Sequence, residues 1–157
     1  MKVSIITPCY NREKTIAQAI ESVLGQDYPD IEYIVVDGAS TDESLKVIRS
    51  YGSQINQVVS ERDGGMYEAI NKGIKMATGE IVGLLHSDDF LIHPHIISEI
   101  VERFKQTSAD MVYGDGLFVD AQETEKVIRD WRSGNYRRWK VRLGWLPLHP
   151  TVYLKRS

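Results

Sequence analysis

The sequence predicts an α/β fold: a mainly parallel sheet flanked by helices on both faces, then a short, β-rich, irregular C-terminal part. Three observations predict it. Short apolar runs rich in β-branched residues alternate with stretches whose apolar residues recur at helical spacing. The runs are apolar without alternation, as strands covered on both faces are. Polar residues and glycines collect at the carboxyl ends of the runs. A strand–helix alternation of this kind builds parallel sheets through crossover helices.

Each element has its own signal. Residues 3–6 (Val-Ser-Ile-Ile) form the first strand, ending at Thr7-Pro8. Residues 14–24 place Ile16, Ala17, Ile20, Val23 and Leu24 on one helical face, with Gly25 as the stop. Residues 33–36 form the second strand, broken by Asp37-Gly38. Ser40 and Glu43 have capping-box spacing and are expected to start the second helix, with Leu45, Ile48 and Tyr51 inward. Residues 57–60 form the third strand. A helix over 66–77 turns Met66, Ala69, Ile70, Ile74 and Ala77 inward, with Gly79 past its end. Residues 81–85 form the fourth strand, followed by His86-Ser87-Asp88-Asp89. Pro94 takes a first-turn position before the stripe Ile96, Ile97, Ile100, Val101 and Phe104. Residues 111–113 form the fifth strand. After Gly114 the rhythm changes: 117–119 and 126–129 read as a hairpin, and 131–150 is aromatic and basic without an assigned element.

Composition narrows the function classes. The 157 residues suit one domain with a substantial core. Hydrophobic residues at 42% and charged residues at 26% exclude disorder, collagen and coiled coil. A net charge of -3 argues against a general nucleic-acid binder. The single cysteine, Cys9, makes neither an internal disulfide nor a multi-cysteine zinc site, which fits a reducing compartment. The first apolar run is too short for a signal-peptide core, and no run approaches a membrane span. A cytoplasmic location is therefore expected.

Open α/β sheets bind ligands outside the carboxyl ends of their strands. Parallel strands would bring four polar loops to that edge. Asp88-Asp89 is the sharpest feature. Adjacent carboxylates repel unless a cation or donors offset them. They read either as ligands of a hard cation, which favours oxygen, or as caps of the following helix. Asp37 reads as a turn residue or as an acceptor for base or ribose donors. Tyr10 reads as a base-stacking ring or as packing. Arg12, Arg62 and Lys72 are phosphate contacts or solvated charges. Gly64 and Gly65 allow a close backbone approach or simply a turn. No glycine-rich phosphate loop ending in Lys-Ser/Thr and no Gly-x-Gly-x-x-Gly fingerprint is present, which counts against ordinary NTPase and dinucleotide readings. His93 and His95 fit capping or surface roles, and Cys9 fits a small buried filler.

Five ordered segments resemble family 2 glycosyltransferases. They are Val3-Ser-Ile-Ile-Thr-Pro-Cys-Tyr-Asn-Arg-Glu13, Tyr33-Ile-Val-Val-Asp-Gly-Ala-Ser-Thr-Asp42, Asp63-Gly-Gly-Met-Tyr-Glu-Ala-Ile-Asn-Lys-Gly73, Ala77-Thr-Gly-Glu80 and His86-Ser-Asp-Asp89. Tyr113-Gly-Asp115 and His149-Pro-Thr151 resemble segments of one bacterial branch. The resemblance implies an A-type nucleotide-diphospho-sugar transferase fold, with a donor-binding core over 1–114 and a partial acceptor-side region over 115–157. It implies inverting transfer from a nucleotide-diphospho-sugar to a hydroxyl of a glycan or lipid-linked acceptor, in surface polysaccharide or lipid-linked glycan assembly.

The implied donor set is Thr7, Pro8, Tyr10, Arg12, Asp37, Asp63, Gly65, Asn71, Lys72 and Asp88, with Thr7, Tyr10 and Asp37 at the base. Asp89 would be the main ligand of Mn²⁺ or Mg²⁺, with Asp88 a second ligand or a support. Asp115 is the best remaining carboxylate after a strand, as a catalytic base or in a turn or binding role, and His149 would face the acceptor side of the active site or cap a turn before Pro150. Family members continue well beyond the metal motif, so a donor-binding module without transferase activity is the alternative. A nucleotidyltransferase would carry a glycine-rich loop after the first strand, which is absent. In the tail, Arg137, Arg138, Lys140 and Arg142 interleave with Tyr136, Trp139, Trp145 and Leu146. Two expectations follow there: peripheral contact with the inner face of a membrane, against an acceptor-loop role, and homodimerisation through exposed Trp131, Trp139 and Trp145.

Overall fold

The computed structural model describes residues 1–156. Strand β1 (Val3–Cys9) lies between β2 (Ile31–Asp37) and β4 (Ile81–Leu84), parallel to both. β3 (Gln57–Ser60) extends the parallel run beyond β2. On the other flank, β8 (Val152–Lys155) inserts antiparallel between β4 and β5 (Met111–Tyr113). The order is β3-β2-β1-β4-β8-β5. A separate antiparallel ribbon pairs β6 (Gly116–Val119) with β7 (Val127–Trp131), the hairpin expected from the sequence.

All seven residues of β1 are buried because helices cover both faces. Alternate residues of a strand point to opposite faces. Val3, Ile5 and Cys9 join a core with α1 (Ile16–Leu24), α2 (Ser44–Ser50) and α4 (Ile96–Gln106), through Ile16, Ile20, Ile48, Ile97 and Phe104. Ile6, Ile34 and Val36 face α3 (Met66–Met76) through Ala69, with Ala77 just beyond the helix. The backbone of α3 lies close to the sheet: a Cβ on Gly73 would fall 2.3 Å from Ile6 Cγ2. Ala69, Ile70 and Gly73 are the buried residues of α3, and Met66 and Ile74, expected inward, are exposed.

Several boundaries differ from the sequence expectation. β1 runs on through Thr7, Pro8 and Cys9 because pairing with β2 continues to Cys9 opposite Asp37. Ser40 and Glu43 make no capping box. The Ser40 hydroxyl is bonded to Asp37, and α2 begins at Ser44, whose amide donates to Asp42. Pro94 precedes the cap residue His95 rather than opening α4, and its carbonyl accepts the Asp27 amide. β8 had no assignment, since four residues carry too short a pattern to separate a strand from a loop.

β8 is locked by Tyr153, which is buried against Gly83 of β4. A Cβ on Gly83 would sit 2.2 Å from Tyr153 Cε1. Ala suits a strand better than Gly, but by less than the overpacking penalty of about 1–3 kcal/mol. Gly83→Ala is therefore expected to lower the denaturant midpoint with an unchanged m-value, and an unchanged midpoint would refute the packing argument.

At the edge of the sheet opposite these loops, Glu32 is buried and accepts from the Ser4 hydroxyl, from the Thr78 amide and hydroxyl, and from Lys2. Burial alone would raise its pKa, but these donors outweigh it and hold the group at about 2, against an ordinary 4.5. A depressed folded-state pKa gives stability that is present above about pH 4.5 and is lost as pH falls toward 2. By that linkage the group contributes on the order of 3 kcal/mol at neutral pH. Glu32→Gln is expected to destabilise at pH 7 and to flatten the acid limb of a stability–pH curve. An unaltered limb would assign the acid sensitivity elsewhere.

Candidate functional site

The register of the parallel strands brings their carboxyl ends level. Cys9 lies opposite Asp37, and Asp37 opposite Ser60. The loops after β1, β2, β3 and β4 therefore share one edge, as the parallel-sheet expectation required. They are tied together there. Asn11 accepts from the Thr41 amide, and its own amide donates to Ser40 Oγ. Arg12 Nε lies 3.6 Å from Asp88 Oδ2, joining the first loop to the fourth. Among the described residues Asn11 (φ 51) and Ala39 (φ 60) are the non-glycine residues with positive φ, and both lie in these loops. Backbone strain of this kind concentrates where surrounding structure holds it for function.

Several expected donor residues are placed differently. Thr7 is fully buried, and its hydroxyl pairs with Tyr33 at 3.0 Å, so it faces the core rather than the edge. Pro8 is buried within β1. Asp37 is also fully buried. Its carboxylate accepts from the Ser40 amide and hydroxyl and from Ser60 Oγ, and so braces the second and third loops. Lys72 is held by Glu61 at 3.0 Å and Glu68 at 3.4 Å, so its charge is already offset. Burial, followed by the nearby Asp37 charge, pushes the Cys9 thiol up to about 11, which fits an inert filler.

Other residues stay available at the edge. Tyr10 is 57% exposed. Arg12, Gly65 and Asn71 are solvent-facing or partly so. Gly65, at φ 121, takes the position before α3, and its amide donates to Asp63 Oδ1. That φ requires glycine.

Asp88 and Asp89 line an open cleft of about 1050 Å³ between the β4 loop, α4, β5 and the β6–β7 ribbon. Asp115 and Arg132 line it too, whereas Tyr10, Arg12, Lys72 and His149 lie outside. The site predicted as one patch is thus two regions that meet at Asp88-Asp89. Asp88 is exposed and paired with Arg12. Asp89 is half-buried, and burial is the main cause that raises its pKa, with the Asp88 charge adding to it; the His86 and His149 charges work the other way.

His86 had no role in the sequence reading. It is buried, its pKa is lowered chiefly by burial, and its Nε2 lies 2.9 Å from His149 Nε2. The rings meet edge-on, with one nitrogen donating to the other. No local signal links residues 63 apart in sequence.

Asp115 is also more occupied than expected. Its Oδ1 accepts the Ser133 amide at 2.8 Å and its Oδ2 accepts Arg132 at 3.1 Å. The Ser133 bond first, then Arg132, holds its pKa below the usual range. A carboxylate so engaged is a poor proton acceptor and a good anchor.

Comparison with known proteins gives the family and the fold. The family model "Glycosyl transferase family 2" matches residues 4–152. The glycosyltransferase GlyG of Streptococcus pneumoniae is 34% identical over 116 residues, covering 72% of this chain and 38% of that protein. Among solved structures, S. aureus TarS 1-349 in complex with UDP-GlcNAc superposes with a TM-score of 0.65 at 32% identity, over 71% of this chain and 33% of that one. The mannosyltransferase PcManGT from Pyrobaculum calidifontis, in complex with GDP-Man and Mn²⁺, gives 0.66 at 25% identity, over 79% and 37%. The chain spans less than half the length of these relatives. A parallel sheet with its strand-end carboxylates, matched by the family model over nearly its whole length, makes this chain a member of glycosyl transferase family 2.

Proposed function

We propose that the protein transfers a sugar from a nucleotide-diphospho-sugar to a hydroxyl of a glycan or lipid-linked acceptor, with inversion and with Mn²⁺ or Mg²⁺ at the diphosphate. The setting would be surface polysaccharide or lipid-linked glycan assembly. The observation that carries the reading is the Asp89 carboxylate. It is half-buried at the end of β4, at the mouth of the cleft, and its pKa is governed by burial and neighbouring charge rather than by any hydrogen bond. The nearby His86 and His149 rings offset its charge only in part.

A hard cation fits that need. Such cations are commonly held by one or two carboxylates, with substrate phosphates and water completing the shell. Among the described residues no set of three or more His, Cys, Asp or Glu side chains is arranged to hold a metal. Asp89 with Asp88 would therefore hold the cation only together with the donor. Bound there, the metal would supply neutralisation of the charge that builds on the leaving nucleoside diphosphate. The donors named for TarS (UDP-GlcNAc) and for the mannosyltransferase (GDP-Man, with Mn²⁺) support this class.

This chain's own groups divide the rest of the work. Tyr10 presents an exposed ring for the base. Arg12, held beside Asp88, would supply a guanidinium to the diphosphate. The acceptor hydroxyl would enter through the cleft and attack the anomeric carbon from the face opposite the leaving group, with a carboxylate taking its proton. Asp115 is ill suited to that last task. Its engagement favours a second reading, a donor-binding module whose general base comes from elsewhere.

Titration calorimetry with nucleoside diphosphates and nucleotide sugars, in Mn²⁺ and in EDTA, tests the donor site. Metal-dependent binding is expected for wild type. Asp89→Ala should weaken it by about a hundredfold or more, since removing one partner of a buried charge pair costs about 3 kcal/mol. Binding that ignores both EDTA and Asp89→Ala would refute the metal reading.

Asp115→Asn separates anchor from base. An anchor role predicts unchanged donor affinity, faster hydrogen exchange at the Ser133 amide, and a loss of roughly 1–2 kcal/mol of stability. A fall in turnover of about a hundredfold or more, with exchange unchanged, would instead identify the base.

A further inference from the structure

We propose that the surface formed by residues 136–146 docks on an anionic lipid bilayer. Charge is divided along the chain. All 22 acidic residues lie in 1–130, while 131–157 carries seven of the 19 Lys and Arg and no acid. The overall charge of -3 hides this division. Arg137, Arg138 and Arg142 are exposed and Lys140 is half-exposed, in a segment without any carboxylate. Arg132, by contrast, is already paired with Asp115 and Asp130.

The same segment exposes apolar side chains that a soluble protein gains nothing by presenting to water. Trp139 is 60% exposed, Leu143 79% and Leu146 68%, with Tyr136 and Val141 also open. Cations interleaved with Trp, Tyr and Leu are the chemistry of an interfacial surface: the charges meet anionic headgroups and the apolar groups enter the acyl boundary. A soluble polyanion would use the cations and stack on the rings. It would leave Leu143 and Leu146 in water, which is why a bilayer is the better occupant. No helix among the described residues is long and apolar enough to cross a membrane, so contact would be peripheral.

The segment is not a loose tail. Trp145 is half-buried, donates from Nε1 to the Ser133 carbonyl at 3.1 Å, and meets the Tyr113 ring at 5.8 Å and the Tyr136 ring at 6.2 Å. Tyr113 in turn donates to the Gly134 carbonyl at 2.8 Å, and Ser133 is pinned to Asp115. These bonds fix the basic, apolar surface beside Tyr113 at the carboxyl end of β5, a residue that also lines the cleft. Docking there would present the cleft to a membrane-bound acceptor, a consequence that rests on the transferase reading. The docking itself does not.

The test is co-sedimentation of the full chain with vesicles of phosphatidylcholine, with and without about one-third phosphatidylglycerol, at low and high salt. Capture by the anionic vesicles at low salt is expected, with release at high salt and none by phosphatidylcholine alone. Each cation contributes about fivefold, so Arg137→Ala with Arg138→Ala should weaken partitioning about twenty-five-fold. Leu143→Ser with Leu146→Ser should weaken it about tenfold or more without changing its salt dependence. All of these side chains are largely exposed, and circular dichroism checks that each variant folds. No capture of folded protein by anionic vesicles would overturn the proposal. So would capture that is indifferent to the leucine pair and abolished by soluble polyphosphate, which would assign the surface to a polyanion. Donor titration is independent of vesicles, so failure of one reading is distinguishable from failure of the other.

Discussion

Everything at the functional edge depends on the register of β2 between β1 and β3. It sets Cys9, Asp37 and Ser60 side by side. A one-residue slip would turn every side chain of a strand to the other face. The buried apolar sets on both faces of β1 and β2 forbid that slip. With the register fixed, the Asp37 carboxylate is delivered to a point where Ser40 and Ser60 both reach it. Hydrogen bonds to a charged acceptor are worth about 1.5–3 kcal/mol each, more than neutral ones. One buried carboxylate thus binds the second and third loops together, and holds Ala39 beside it at positive φ.

The second constraint is charge. Within the site, most charges already have partners: Asp88 has Arg12, Lys72 has Glu61 and Glu68, and Asp115 has Arg132. Asp89 stands apart. It is the more buried of the adjacent pair, and burial dominates its titration. A protein that spends no donor on a half-buried carboxylate leaves that carboxylate to be completed by something that binds. Exposed Asp88, paired with Arg12, holds that guanidinium at the edge.

The parallel sheet, four of its loops and the ribbon were legible in the sequence because they depend on local patterns: β-branched runs, helical stripes, and turns of Gly, Asp and Asn. What was not legible depends on partners distant in the chain. β8 is recognisable as a strand only once Tyr153 has Gly83 to pack on. The exposure of Met66 and Ile74 follows from the close approach of Gly73 to Ile6, which helical periodicity does not carry. The resemblance implies base contacts for Thr7 and Asp37. Both strands run further than the apolar run suggested, so both side chains end inside. Ser40 shows the same limit from the other side. Its spacing to Glu43 is that of a cap, but a buried carboxylate three residues before it is the stronger acceptor.

The structure also joins the two halves of the chain more closely than their composition implies. The acidic first part and the basic tail meet at several places, among them Asp115 with Arg132 and Ser133, His86 with His149, and Arg156 with the Thr78 and Gly79 carbonyls. Exposed ion pairs alone contribute little, typically up to about 1 kcal/mol. The backbone bond to Ser133 and the Trp145–Tyr113 contact add directionality that a surface pair lacks. β8 completes the attachment by threading the tail back into the main sheet between β4 and β5. A tail that only neutralised the acidic body would need none of this. Fixing it in this orientation is costly in conformational entropy. The side chains of Arg137, Arg138, Trp139, Leu143 and Leu146 are thereby held outward on one exposed surface.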